Sequence, residues 1–138
     1  MTHDENRVLV GDYYEAVYNR HELDRLGTYL APDFVSAGPG GRMDREAHAA
    51  ALAASLAALP DLRLTLEEQV AEGDAVVTRW SARGTQLGPL FGIPPTGRTV
   101  TASAIHIHHL REGRIVEQWE QFDTLGVLGQ LGLVPRPA

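Results

Sequence analysis

One hairpin of the sequence gathers most of the side chains that could do acid–base chemistry. Glu112-Gly113 is a two-residue connector of the kind that closes a tight β-hairpin, so Leu110 is expected to pair with Ile115. Because side chains alternate along a strand, this register determines which residues share a face. One face would then carry imidazole, carboxylate, amide and indole groups: His106, His108, Glu117, Trp119, Gln121 and Asp123.

Asp123 is the candidate general acid/base on this face. An Asp withdrawn from water beside Trp119 and Phe122 would have its ionised form disfavoured and its pKa raised from about 3.9 towards neutrality. Such a group suits removal of a proton from a carbon flanked by carbonyls, for which no metal or cofactor is required. The structural alternative is that Asp123 caps a helix or turn that opens at Thr124-Leu125-Gly126.

The predicted register also gives each of the two histidines on this face a neighbour on the opposite strand. His106 would lie opposite Trp119, about 13 Å along the strand from the level of Asp123, so a direct proton relay between His106 and Asp123 is not expected. His106 then either contacts a substrate or is a hydrogen-bonded wall residue. Glu117 would lie opposite His108 and form a mainly structural pair with it.

Metal and nucleotide sites are not expected. The run His106-Ile107-His108-His109 contains the His-x-His pattern with which cupin barrels begin a metal site, but Glu112 lies in the turn and cannot complete that pattern. The loop Gly38-Pro39-Gly40-Gly41 is too short and wrongly spaced for a phosphate loop. Its expected role, shared with residues 84–97, is to shape or gate the mouth of a cavity.

Three helices are predicted in the first 60 residues. The first, Asp4 to about Asn19, carries an apolar face, and a short second helix ends at Ala31-Pro32. The third, Arg45–Leu59, begins at the N-cap residue Asp44. His48 lies one turn before Leu52 on its apolar stripe, so it is either half-buried or directed into a pocket.

The rest of the chain is predicted to form strands. Residues 62–67 and 75–83 form a hairpin, residues 98–110 pair with the segment that follows Gly113, and residues 34–37 form a brief extended piece. Residues 84–97 form an irregular lobe. This order favours an α+β layer with helices on one side of a curved, mostly antiparallel sheet. The large aromatic residues Tyr14, Phe34, Trp80 and Phe91 are core candidates that can also line a cavity.

Composition limits the function further. The chain has 138 residues, which fits one domain over 1–138, and it has no Cys. Its net charge is -6 and its twelve basic residues are all scattered Arg, so neither nucleic-acid binding nor Schiff-base chemistry is expected. No apolar run could span a membrane, and the acidic start is unlike a secretory signal, which indicates a cytoplasmic protein.

A series of short motifs runs through nearly the whole chain. They are Pro60-Asp61-Leu62, Glu72-Gly73-Asp74-Ala75-Val76-Val77, Gly84-Thr85, Gly92-Ile93-Pro94-Pro95-Thr96-Gly97-Arg98, Glu112-Gly113-Arg114-Ile115-Val116-Glu117-Gln118-Trp119, Asp123 and Gln130-Leu131-Gly132. Together they resemble the SnoaL-like polyketide cyclases of the nuclear-transport-factor-2-like superfamily. The resemblance implies a cone-shaped, cystatin-like α+β fold that encloses an apolar cavity, commonly in a homodimer.

The resemblance also implies roles for individual residues. In the cyclases, the acid/base is a carboxylate near the end of the last strand, seven residues before the Gln of a Gln-Leu-Gly signature, and Asp123 has that spacing. Histidines of the family match His106 and His109. Gln121-Phe122 stands where the cyclases carry Trp-Pro, and Ser36 stands where they carry Asn.

The sequence therefore favours a cofactor-independent cyclase, or a related lyase or isomerase of antibiotic biosynthesis, that acts on a small hydrophobic polyketide-like molecule. Asp123 is expected to be the acid/base, and no metal or cofactor is expected. Alternatives are an epoxide hydrolase-like enzyme and a non-catalytic binding or dimerisation module. The residues expected to contact the substrate are Tyr14, Phe34, His48, Trp80, Phe91, His106, His108, Trp119 and Gln121.

Overall fold

The computed structural model describes residues 2–133 and packs helices against one face of a six-stranded sheet. In that part of the chain the α-helices are α1 (His3–Tyr13), α2 (Leu26–Tyr29), α3 (Arg45–Ala58) and α4 (Thr124–Gln130). The strands are β1 (Leu30–Gly38), β2 (Gly41–Asp44), β3 (Arg63–Glu72), β4 (Ala75–Thr85), β5 (Thr99–Arg111) and β6 (Arg114–Phe122). The predicted α+β class is confirmed, and α4 is a fourth helix beyond the three expected.

The strand order is β2-β1-β6-β5-β4-β3. All neighbours are antiparallel except β1 and β6, which run parallel. Residues 38–41 form a tight connection between β1 and β2 where a loop was expected, and Gly41 adopts a φ of 98° that favours glycine. The early extended segment is therefore a hairpin at one edge of the sheet.

The hairpin of β5 and β6 corrects the predicted register. Leu110 pairs with Ile115 as expected, but a β-bulge follows, and His109 pairs with Glu117. Val116 is the extra residue, and a shift of one residue exchanges the two faces of a strand. Beyond Glu117, which pairs with His109, strand β6 therefore turns Gln118, Glu120 and Phe122 to the inner side of the sheet. Glu117, Trp119 and Gln121 point to the other side.

The N-terminal helix changes its winding at the point where it packs on the sheet. The segment Tyr14–Asn19 is π-helical rather than α-helical, a form that is rare and often found at functional sites. The wider turn lets Tyr13, Tyr14 and Tyr18 all be buried in the core between the helices and the sheet. Three tyrosine hydroxyl groups are thereby brought beneath the inner face of the sheet and need polar partners.

The third helix follows the prediction closely. The Asp44 side chain caps it by accepting a hydrogen bond of 2.8 Å from the Ala47 backbone N–H. His48, Leu52 and Leu56 form its buried stripe, so α3 presents an imidazole towards the sheet. Within residues 2–133, every helix is too short or too polar to cross a bilayer.

Candidate active site

A cavity of about 520 Å³ opens between α3, the inner face of the sheet and the loop between β4 and β5. This volume suits a small molecule of several rings. Its walls are mostly apolar, with contributions from Leu52, Leu64, Trp80 and Phe122. The exposed residues Pro39, Gly40 and Phe91 lie at its rim. The polar residues that line the cavity are Tyr18, Ser36, His48, Ser55, Arg83, His106, Glu120 and Thr124.

Glu120 and His106 form the ionisable pair of the cavity. They face each other across β6 and β5, and Oε2 of Glu120 lies 3.1 Å from Nε2 of His106. The N–H bond of His106 does not point straight at that oxygen, so the contact is a close charge–dipole pair rather than an aligned hydrogen bond. His106 is buried and the Glu120 side chain is 34% exposed, which leaves the carboxylate open to a molecule in the cavity.

The proton of His106 is placed by two donors on its far nitrogen. Nδ1 lies 2.6 Å from the Tyr14 hydroxyl, and the indole N–H of Trp80 donates to it at 3.4 Å. An indole nitrogen can only donate, so Nδ1 must offer its lone pair. The neutral imidazole then carries its proton on Nε2, the nitrogen beside Glu120. This tautomer is inferred from the hydrogen-bond partners.

Opposing influences act on the Glu120 carboxyl. Burial tends to raise its pKa, but the contact with His106, together with the electrostatic influence of the His106 and His48 side chains, outweighs burial and lowers its pKa below the usual range. Glu120 is therefore ionised at neutral pH and can accept a proton. Among the described residues that line the cavity, it is the only carboxylate.

His48 is a second imidazole on the cavity wall. Its Nε2 lies 3.3 Å from the Tyr13 hydroxyl, and its ring packs on Phe34 with the centroids 5.1 Å apart. Burial lowers the pKa of His48 to about 4, so the ring is neutral at physiological pH. His48 can therefore exchange hydrogen bonds with a ligand but brings no positive charge.

His108 lies deeper, behind the cavity. Its Nε2 is 2.8 Å from Oε1 of Gln118, whose amide nitrogen donates to the Ser36 hydroxyl at 3.3 Å. The Gln118 oxygen accepts, so Nε2 of His108 carries the proton and its buried Nδ1 has no partner among the described residues. Burial lowers the pKa of His108 to about 3. The predicted pair of His108 with Glu117 is wrong, because the bulge at Val116 puts Gln118 opposite His108.

No cluster of three His, Asp or Glu side chains within residues 2–133 has an arrangement that could hold a metal ion.

A family model supplies the decisive comparison. The model of the SnoaL-like polyketide cyclases matches residues 8–131. The chain belongs to the SnoaL-like polyketide cyclase family. Its sequence matches no curated protein.

Solved structures agree with the fold of this SnoaL-like chain. AclR from Streptomyces galilaeus, a proposed hydroxylase, is 26% identical with a TM-score of 0.91, covering 99% of this chain and 91% of AclR. TsrD from Streptomyces laurentii is 30% identical with a TM-score of 0.87, covering 97% of this chain and 99% of TsrD. IdmH from Streptomyces antibioticus, a proposed polyketide cyclase, is 34% identical with a TM-score of 0.81, covering 92% and 98%.

Four of the predicted site residues of this SnoaL-like protein line the cavity: His48, Trp80, Phe91 and His106. Tyr14, Phe34 and His108 lie behind the wall, where they support His106, His48 and Gln118 respectively. The structure thus separates residues that can touch a ligand from those that position them.

Asp123, Trp119 and Gln121 lie outside the cavity. The expectation that Asp123 is held away from water is wrong, because its side chain is exposed and accepts a hydrogen bond of 3.0 Å from the Gly126 N–H as the N-cap of α4. Trp119 is 46% exposed, and its indole N–H donates to the Glu117 carboxylate at 2.6 Å. The bulge accounts for the positions of Trp119 and Gln121, which it turns to the outer face.

Sequence reasoning missed Glu120. The uninterrupted register assigned it to the outer face, whereas the bulge brings it opposite His106. Classic bulges carry no obligatory glycine, and neither Val116 nor its neighbours provide a local signal for one. The available clue was chemical, since the unbulged register would have placed an indole and a carboxylate opposite the two imidazoles.

Proposed function

We propose that this protein is a cofactor-independent cyclase for a hydrophobic polyketide-like molecule, with Glu120 as the general acid/base. The observation that carries the proposal is a carboxylate held 3.1 Å from a buried imidazole in an otherwise mostly apolar cavity. Membership of the SnoaL-like family and the likeness to IdmH, a proposed polyketide cyclase, support the same reaction class.

The reaction begins when the Glu120 carboxylate takes a proton from a carbon flanked by two carbonyl groups. The electron pair of that C–H bond becomes an enolate, which attacks a carbonyl carbon elsewhere in the same molecule and forms the new C–C bond. The resulting alkoxide recovers the proton from the Glu120 carboxylic acid. The Nε2 atom of His106, 3.1 Å from the Glu120 carboxylate, favours the ionised base before each turnover through the charge–dipole contact described above.

The apolar walls supply orientation. Trp80, Phe122 and the leucines of the cavity can hold a folded polyketide with its reacting carbons together. The conformational entropy of the substrate is then lost on binding rather than in the chemical step, which lowers the barrier to ring closure. Because the enolate spreads over adjacent carbonyl groups, the substrate itself provides much of the stabilisation of the charge.

The experiment is turnover of a synthetic aromatic poly-β-ketone ester, with ring closure detected by chromatography as a product of unchanged mass. Glu120→Gln should lower kcat by about 100-fold or more, since general acid–base catalysis contributes at least that factor. Asp123→Asn is the matched control and should retain turnover. Full activity of Glu120→Gln, or its loss in Asp123→Asn alone, would contradict the proposal.

Product analysis separates the alternatives. Epoxide opening by water activated at Glu120 would add one oxygen atom from isotopically labelled water to the product, whereas ring closure adds none. A pure binding module would bind the ester in the cavity and release it unchanged, and that result would also overturn the cyclase assignment.

We also propose that two copies of the chain associate through the outer face of β5 and β6, as the family resemblance implies. Ile107 and Trp119 are paired across these strands, and with Ile105 they are large apolar side chains exposed on that face. Ile107→Glu should convert a dimer to a monomer in sedimentation experiments. A monomeric unmodified protein would contradict the proposal.

A further inference from the structure

His48 has one ring nitrogen that the hydrogen bonds of the protein leave unused. It lies on the inner stripe of α3, and its ring forms part of the cavity wall. Nε2 faces the Tyr13 hydroxyl at 3.3 Å, and Nδ1 makes no hydrogen bond among the described residues. Protein atoms do not fully enclose Nδ1, so it is accessible from the cavity. His48 therefore presents a polar atom to whatever the cavity holds.

The direction of the Tyr13 hydrogen bond determines what that atom is. Tyr13 is fully buried, and its hydroxyl lies beside Nε2 of His48 and the hydroxyl of Tyr18, which donates to the Tyr13 oxygen. Because Tyr18 already donates to this oxygen, accepting from His48 as well would bury the Tyr13 proton without an acceptor, at a substantial cost in free energy. Tyr13 therefore donates to Nε2, and the single proton of the neutral imidazole lies on Nδ1. Nδ1–H is then a hydrogen-bond donor.

We propose that the Nδ1–H of His48 donates a hydrogen bond to the anionic oxygen that develops on the substrate when Glu120 removes a proton. His48 would be a catalytic residue and Tyr13 a positioning residue that sets its tautomer. The ligand class that this site recognises is an enolate or phenolate of a planar, largely apolar molecule. This inference rests on the proposed function of Glu120.

Electrostatics favours this arrangement. Once Glu120 has taken the proton, the negative charge has moved from the carboxylate to the substrate oxygen, within walls that are mostly apolar. A neutral N–H that is already in place stabilises that charge without reorganising, and it does so more strongly than in water. His106 has its Nε2 beside Glu120, so the donor of His48 supplies a second, separate N–H. The two tyrosines that follow each other in sequence, Tyr13 and Tyr14, thus each fix the tautomer of one cavity imidazole.

The test measures the binding of a stable anion and requires no turnover. Glu120→Gln, which resembles the protonated acid, serves as the background, with dinitronaphtholate as the anionic probe and dinitronaphthalene as its neutral counterpart. Adding His48→Leu should weaken the affinity for dinitronaphtholate about tenfold or more, which is the contribution expected of a hydrogen bond to a charged group. The affinity for dinitronaphthalene should decrease less than about threefold. His109→Leu, a histidine outside the cavity, is the matched control and should change neither affinity.

A selective loss of dinitronaphtholate supports the proposal. An equal loss of both probes, or no loss of either, overturns it. Failure of this proposal can be distinguished from failure of the proposed function. If the wild type shows no turnover, the effect of His48→Leu on probe binding can still be measured. Conversely, loss of turnover in Glu120→Gln with unchanged probe affinities in the double variant keeps Glu120 and removes His48.

Nitrogen NMR of the histidine-labelled wild-type protein provides a second measurement that needs no variant at His48 to fold. It should show a protonated Nδ1 and an unprotonated Nε2 for His48. Tyr13→Phe should produce a mixture of the two tautomers and weaken dinitronaphtholate, whereas the control Tyr29→Phe should leave the His48 signals unchanged. A proton on Nε2 in the wild type would overturn the proposal.

Discussion

The Glu120 carboxylate and the His106 imidazole occupy facing positions on β6 and β5, with Oε2 and Nε2 3.1 Å apart. The pair is set by the backbone register of two neighbouring strands, so it exists before any ligand enters. Behind it, the Tyr14 hydroxyl and the Trp80 indole hold the far nitrogen of His106. The position of the base therefore depends in part on Tyr14, which lies behind the cavity wall.

Tyr14→Phe should weaken the function of this pair without altering the cavity wall. The substitution removes the 2.6 Å hydrogen bond to Nδ1 of His106 and leaves only the longer bond of 3.4 Å from Trp80 to hold the tautomer. We expect a loss of about 1 kcal/mol in the free energy of unfolding and about a tenfold decrease in kcat, with little change in KM. Steady-state kinetics and urea unfolding would measure both quantities.

Tyr29→Phe is the matched control for this prediction. Tyr29 is also buried, but its hydroxyl accepts from Arg25 at 3.0 Å, away from the cavity. Its kcat should equal that of the wild type. If Tyr14→Phe also keeps the wild-type kcat, the support of His106 by Tyr14 has no part in the reaction.

Asp123→Ala should affect stability and spare turnover. Removing the N-cap of α4 leaves the Gly126 N–H without its side-chain acceptor and should cost about 1 kcal/mol. Asp123→Asn should be nearly neutral, because Asn caps helices as well as Asp does. Thermal unfolding distinguishes the two variants. Equal stability of Asp123→Ala and wild type would show that the cap contributes nothing.

Acid should destabilise the protein well above the range in which carboxylates titrate. Folding lowers the pKa of His48 from 6.5 to about 4 and that of His108 from 6.5 to about 3. Between these values and 6.5, the unfolded chain therefore binds a proton at each histidine that the folded chain does not bind. The contribution of the two neutral rings to the free energy of unfolding is fully present above pH 6.5 and decreases as the pH falls below that value. The expected slope is about 1.4 kcal/mol per pH unit for each histidine.

Urea unfolding between pH 7 and pH 4.5 would measure this slope. His108→Gln, which cannot titrate, should reduce it by about half, whereas His21→Gln, for a partly exposed histidine, is the control and should keep it. A free energy of unfolding that stays constant from pH 6.5 to 4.5 would contradict the buried, neutral state of both rings.

Phe91 should contribute to ligand binding at a cost in stability. It adopts a φ of 52°, which side chains other than Gly, Asn and Asp rarely adopt, and its ring lies 6.3 Å from that of Phe122 at the cavity rim. Phe91→Asn should raise the free energy of unfolding by up to about 1 kcal/mol and weaken an apolar ligand several-fold. Calorimetric titration with dinitronaphthalene, beside thermal unfolding, tests both effects. Unchanged affinity would show that the ring has no role at the rim.

Local sequence signals predicted those elements whose ends are set by local chemistry. Asp44 marks the start of α3 through its cap, and Glu112-Gly113 marks the turn between β5 and β6, where both residues have positive φ. His48 and His106 were identified as site candidates because the periods of a helix and a strand place them on the inner faces. The wide face of the π-helical turn at Tyr14–Asn19 has no such local signal, and only the packing of three tyrosines reveals it.

The carboxylate of the site could not be predicted in the same way. Its identity depends on the bulge at Val116, and no residue type at or beside that position signals a bulge. Counting positions from the turn therefore placed Glu120 on the outer face. The same spacing argument placed Asp123 in the cavity, whereas the chain leaves the sheet at Phe122 and begins α4.

The parallel pairing of β1 with β6 has a consequence for how the molecule forms. Leu30 lies beside Ile115, and Ala37 beside Trp119, so the wall that holds Ser36 cannot assemble until β6 has been synthesised. Pairing of such distant segments makes folding slow relative to helical proteins of this size. A nascent chain that stops before β6 can pair β3, β4 and β5 but leaves β1 without the strand beside it, so we expect it to depend on chaperones until the last strand emerges.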